Sequence, residues 1–193
     1  MFRDWIEDDK QILGECFAHD VSHWKTKKFV PEFVNFNQVT DIVHDHFESL
    51  KEIHIRVCCE SSRPDLRRDP FYKFLSDARV IDRFNLPKGI CDTLFKATNF
   101  EFEDSEHNDD NALTRFEFLE ILVRVAKARF LQSGEETNIT RAFLRLLHAH
   151  ILPMNLKLIP WQEWREKELW CNEVNDELEV NIRGIKKLFD FIA

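Results

Sequence analysis

The residues that could do chemistry in this chain are concentrated in "EHNDDNALTRFE", Glu106 to Glu117. Oxygen-bearing side chains recur there at alternate places and then give way to an amphipathic run. That is the layout of a loop that wraps a hard divalent cation. Such a loop has twelve residues, with oxygen ligands at the first, third, fifth, seventh, ninth and twelfth places, the seventh through its backbone carbonyl. Laid on this sequence, Glu106, Asn108 and Asp110 take the first three ligand places, Ala112 offers its carbonyl and Thr114 takes the ninth. Glu117 falls at the twelfth place, where a bidentate carboxylate closes a calcium site. Leu113 fills the apolar eighth place, through which two such loops meet as a short β-bridge.

Three features weaken the site. Glu106 stands where the shorter Asp is preferred. Asn111 replaces the turn glycine, a milder fault because Asn tolerates the left-handed conformation. The preceding helix is expected to end near Thr98 or Asn99, 7 residues short of Glu106, and a lengthened loop is a looser one. A degraded copy of the pattern lies 47 residues upstream of Leu113, at Leu66 in "CESSRPDLRRDPFYKFL". There Pro70 occupies the closing-carboxylate place, Arg63 the fifth and Arg67 the ninth, so this loop should hold no Ca²⁺.

Other candidate groups carry less. His19 and His23 are spaced four apart around Asp20, as metal ligands on a helix can be, but no third ligand follows from the sequence. His44/His46 and His148/His150 are two apart and point to different helix faces. The cysteines Cys16, Cys58, Cys59, Cys91 and Cys171 are odd in number and hold no CxxC pair. They read as buried thiols in a reducing compartment. No Gly-rich phosphate loop, GxSxG or dinucleotide fingerprint occurs, and nothing in the residues asks for catalysis.

The elements that must position the acidic loop are helices. The chain carries 18 Phe but only 4 Gly and 6 Pro, too few turn formers for a sheet protein, which favours an all-α fold. Val39, Ile42, Val43, Phe47, Leu50, Ile53 and Val57 recur at three and four, predicting one helix from Val39 to Cys59. A second helix follows at "FYKFLSDARV", with Phe71, Phe74 and Leu75 on one face. Pro87 opens a third, with Ile90, Leu94 and Phe95 apolar. A fourth runs from about Thr114 to Leu131 on the stripe Phe118, Leu119, Leu122, Val125 and Ala126, with Glu120 and Arg124 paired at i,i+4 and Gly134 as C-cap. A fifth spans roughly Asn138 to His150 and stops before Pro153. The last region carries an apolar pattern to the final residue, and Trp161, Trp164 and Trp170 cluster there as candidate partner contacts. Three parts result: an N-terminal helical extension over 1–38, a helix–loop–helix pair over 39–131 and a C-terminal helical region over 132–193.

The net charge of −8 argues against a nucleic-acid footprint, and the basic clusters Lys25/Lys27/Lys28 and Arg63/Arg67/Arg68 read as solvated faces. No apolar run is long enough to span a membrane, and the acidic N-terminus does not read as a secretory signal.

Residues 39–131 resemble a divergent, degenerate EF-hand pair of the calmodulin superfamily. More narrowly, "LFKATNFEFE…ALTRFEFLEILVRVAKARF" resembles EF-hand-like proteins of ciliated and flagellated eukaryotes. The resemblance implies a non-enzymatic structural or scaffold protein, needing no cofactor. Its partners would be proteins of an axonemal or other microtubule assembly, in the cytoplasm, cytoskeleton or cilium. The alternative it implies is a calcium sensor that uses loop 106–117 to regulate a partner. A metal-dependent enzyme or regulator built on His19 and His23 is a third, more distant reading.

Overall fold

The structure is a computed structural model and describes residues 9–59, 66–100, 111–156 and 165–192. Helix α1, Lys10–Ser22, starts at Asp9, whose carboxylate accepts a hydrogen bond from the Ile12 backbone N–H at 2.8 Å. A capped first turn of this kind satisfies one of the orphan donors of the helix start. A 3₁₀ turn at Thr26–Lys28 leads to α2, Phe33–Asp45, and α3, Phe47–Cys59. The single helix expected over 39–59 is therefore two. The break is one residue, His46, whose N–H reaches the carbonyls of both Ile42 (3.3 Å) and Val43 (3.2 Å). Apolar periodicity continues through such a kink, because Val43, Phe47 and Leu50 are buried on both sides of it.

The next two segments repeat one plan. Strand β1, Leu66–Arg67, runs into α4, Arg68–Asp77, with Pro70 in the first turn, where its missing N–H is tolerated. Helix α5, Lys88–Asn99, starts at Pro87 and ends where the sequence placed its end. Strand β2, Ala112–Leu113, runs into α6, Arg115–Ala126, which a π-helical turn extends over Lys127–Leu131. The two strands form an antiparallel ribbon with Leu66 opposite Leu113 and Arg67 opposite Ala112. Gly134, at φ +77, closes the extended helix in the left-handed conformation that glycine adopts without strain.

Helix α6 is the centre of the core. Its expected stripe is buried, but so are Glu117, Glu120, Ile121 and Val123, so the helix is enclosed almost all round. Helix α7, Ile139–Leu146, packs against α2 and α6. It continues through a π-helical turn, Leu147–Ile151, and a 3₁₀ turn, Leu152–Leu156, rather than stopping before Pro153. Phe143, Leu146, Leu147, Ile151 and Met154 join the same core. His150 hydrogen-bonds to the Ala78 carbonyl at 2.9 Å and Arg56 donates to the Asn155 carbonyl at 2.9 Å, tying this stretch to the ends of α4 and α3.

The chain divides into two compact units, 1–158 and 159–193, so the expected boundaries at 38 and 131 both fall inside the first. In the second unit a π-helical turn, Arg165–Leu169, precedes helix α8, Asn172–Ile192. The described chain is mostly helical, and its one sheet is the two-stranded ribbon. Among the described residues no helix is long and apolar enough to cross a membrane.

Candidate functional site

The second half of the proposed cation loop is where α6 begins. Thr114 is the residue before the helix and Glu117 sits three places on, the spacing of a capping box. The Glu117 carboxylate turns back and accepts from both the Thr114 N–H and the Thr114 hydroxyl, each at 3.1 Å. Thr114 and Glu117, placed by the loop pattern on a common ion, are thus bonded to each other. Ala112, the carbonyl position, lies buried in the ribbon opposite Arg67. Glu106, Asn108 and Asp110 lie outside the described residues, as does Arg63 of the upstream loop.

A cation is nevertheless present at Glu117, and it belongs to the chain. The Lys25 ammonium comes within 3.9 Å of Glu117 Oε1, with Glu117 0% and Lys25 20% exposed at the side chain. The same ammonium donates to the backbone carbonyls of Thr98 (2.5 Å) and Phe100 (2.9 Å), at the C-terminal end of α5. Carbonyls at a helix end lack intrahelical donors and carry the negative pole of its dipole. Lys25 therefore links the end of the entering helix to the start of the exiting one. Its backbone N–H also donates to Glu120 Oε2 at 2.6 Å, while Glu120 Oε1 accepts from Nε and Nη2 of Arg124 at 3.1 and 2.9 Å.

The N-terminal segment is wired to α6 at three more points. Asp20, buried, accepts from Arg115 Nε at 2.6 Å and Nη2 at 3.0 Å, a bidentate pair that holds the guanidinium pKa above its usual value. The Arg124 guanidinium lies over the Phe29 ring, 4.1 Å from its centroid. Lys127 donates to the Phe29 carbonyl at 2.8 Å. Charge, not only apolar packing, fixes residues 20–29 to the helix that follows the loop.

His54 of α3 lies against the ribbon. Its ring lies 5.2 Å from the Phe118 ring, bonds to the Leu113 backbone and has Cys58 Sγ at 3.6 Å. Burial, only partly offset by the Leu113 bond, lowers its pKa to about 4, so the imidazole is neutral at neutral pH. Burial likewise pushes the Cys91 thiol up to about 11, which suits a core residue and not a nucleophile.

The remaining candidates separate. The His19 and His23 rings are 4.5 Å apart, but His23 Nδ1 is engaged by the His19 carbonyl (2.9 Å) and the Ser22 hydroxyl (3.1 Å). Among the described residues no three His, Cys, Asp or Glu side chains gather as a metal site. Trp161 and Trp164 lie outside the described residues, and Trp170 is half-buried. What the sequence reading missed is Lys25. It belongs to a cluster read as a solvated face, and the correction comes from partners 73 to 95 positions away, at Thr98, Phe100, Glu117 and Glu120. Nothing in the spacing of "WKTKK" signals them.

Comparison of the chain with protein-family models, with curated proteins and with solved structures finds no match.

Proposed function

We propose that this chain is a non-enzymatic structural module: a degenerate EF-hand pair whose helix–loop–helix frame is kept for packing and whose loops have given up calcium. One observation carries the reading. The fully buried Glu117 carboxylate, the residue that would close a calcium site, is bonded to Thr114 and faces the Lys25 ammonium. A fixed internal cation at that carboxylate makes the geometry constant instead of ion-dependent. The ribbon pairing Leu66 with Leu113, the two apolar eighth places of the pattern, supports the paired-loop frame. The burial of Phe143, Leu147, Ile151 and Met154 supports a pair whose apolar face is covered by its own chain rather than opened by Ca²⁺.

The expected setting is a cytoskeletal assembly, a ciliary microtubule scaffold in which the chain binds partner proteins. That setting rests on the likeness of "ALTRFEFLEIL" to EF-hand-like ciliary proteins. The test is cosedimentation of the purified full chain with salt-stripped axonemal microtubules. The reading expects binding that is equal in Ca²⁺ and in chelator. Binding that requires Ca²⁺ supports the sensor alternative, and no binding in either condition overturns the microtubule setting.

A further inference from the structure

Helix α8, Asn172–Ile192, is 21 residues long, or about 31 Å at 1.5 Å per residue. Leu178, Ile182, Ile185 and Phe189 step along it by four, three and four, the spacing of a two-helix seam. The second half of the seam is open, with Ile185 38% and Phe189 69% exposed, and Leu178 and Ile182 in the first half are half-buried. The charges are divided along its length. Glu173, Asp176, Glu177 and Glu179 lie in the first half, whereas Arg183, Lys186 and Lys187 lie in the second, with Asp190 the one exception.

We propose that α8 pairs with α8 of a second copy of this chain, antiparallel, about a two-fold axis near residues 183 and 184. The charge division chooses both the partner and the direction. A parallel pair lays acidic half on acidic half and basic on basic. An antiparallel pair opposes them, and the reversal of sign falls close to the midpoint of the apolar seam. About that axis Ile182 faces Ile185 of the second copy and Leu178 faces its Phe189. Glu179 comes beside Lys186 of the second copy, and two-fold symmetry makes that pair twice. A partner of unrelated sequence needs no such antisymmetry. Asn175, at a seam position in the first turn, is already served on its own helix, where its side-chain amide donates to Glu179 at 3.4 Å. It therefore has no need of the matching Asn that a parallel pair would bring. A two-fold pairing would give the module two copies of its binding surfaces, and it stands independently of whether the loop binds Ca²⁺.

The test is sedimentation equilibrium of the full chain across the micromolar range. The expected result is a reversible dimer that Ile185→Glu with Phe189→Glu weakens at least about a hundredfold. These are exposed positions, so the circular dichroism melt of the first unit should not move. Glu179→Lys and Lys186→Glu should each weaken the dimer about tenfold, and the double exchange should restore it. A monomer throughout the range overturns the proposal. So does a dimer that survives the seam substitutions, or one that both single charge reversals weaken and the double exchange fails to restore.

Discussion

Replacing Lys25 by Met removes the ammonium and keeps most of the stem, so it isolates the internal cation. The structure sets the size of the loss. Two charge-assisted hydrogen bonds go, to the carbonyls of Thr98 and Phe100, with an ion pair to Glu117 at 3.9 Å. A hydrogen bond involving a charged group contributes about 1.5–3 kcal/mol, and the Coulomb attraction at this separation is about 4 kcal/mol at an effective dielectric of ~20. Against these stands the cost of desolvating an ammonium whose side chain keeps 20% of its exposure. The net loss expected is about 2–4 kcal/mol, less than the sum because burial of the charge opposes it. For a unit of this size that is a fall in Tm of roughly 5–15 °C. The backbone bond from Lys25 to Glu120 is untouched, so the variant should still fold. Calorimetric melting of wild type, Lys25→Met and Lys25→Arg measures it, with Arg expected between the other two. A Met variant melting within about 1 °C of wild type would mean that the ammonium contributes nothing at Glu117.

Three further outcomes follow from other contacts. Arg115→Met should destabilise by about 2–3 kcal/mol, and a cycle with Asp20→Asn should give a coupling of about 1–3 kcal/mol in chemical denaturation; additive single effects would count against the pair. His54 titrates near 4 in the fold and near 6.5 when unfolded, so the unfolded state takes its proton first as pH falls. Stability should therefore decline between pH 6.5 and 4 by about 2–3 kcal/mol, and His54→Phe should flatten that part of the profile. Gly184→Ala, in the middle of α8 with open space around an added Cβ, should raise helicity and stabilise that helix by about 1 kcal/mol; a loss of helicity by circular dichroism would contradict it.

Local signals carried much of the fold. Apolar steps of three and four placed the helices, Gly134 marked a helix end, and the end of α5 at Asn99 was readable from where its pattern stops. The eighth-place residues Leu66 and Leu113 were readable as counterparts, and they are the pair that faces across the ribbon. What periodicity could not see was a break that preserves phase, as at His46, or a helix enclosed almost all round, as α6 is. Glu117 and Glu120 are charged, so a hydropathy pattern assigns them to solvent. They are buried because Lys25 and Arg124 meet them. The Lys25–Glu117 and Asp20–Arg115 contacts join positions more than ninety apart, and each residue alone resembles any surface charge. Long-range charge pairing leaves no period in a sequence, and this site is built from it.

On the proposed reading, the loop ending at Glu117 is held by the chain's own cation and not by calcium. Titration of the chelator-treated full chain with Ca²⁺ by calorimetry, with Mg²⁺ at physiological level, tests it most directly. No saturable binding tighter than roughly 10⁻⁴ M is expected, weaker than calcium sensors require. A single site of micromolar affinity would contradict it, since Glu117 would then have to leave Lys25 and Thr114 to close around the ion.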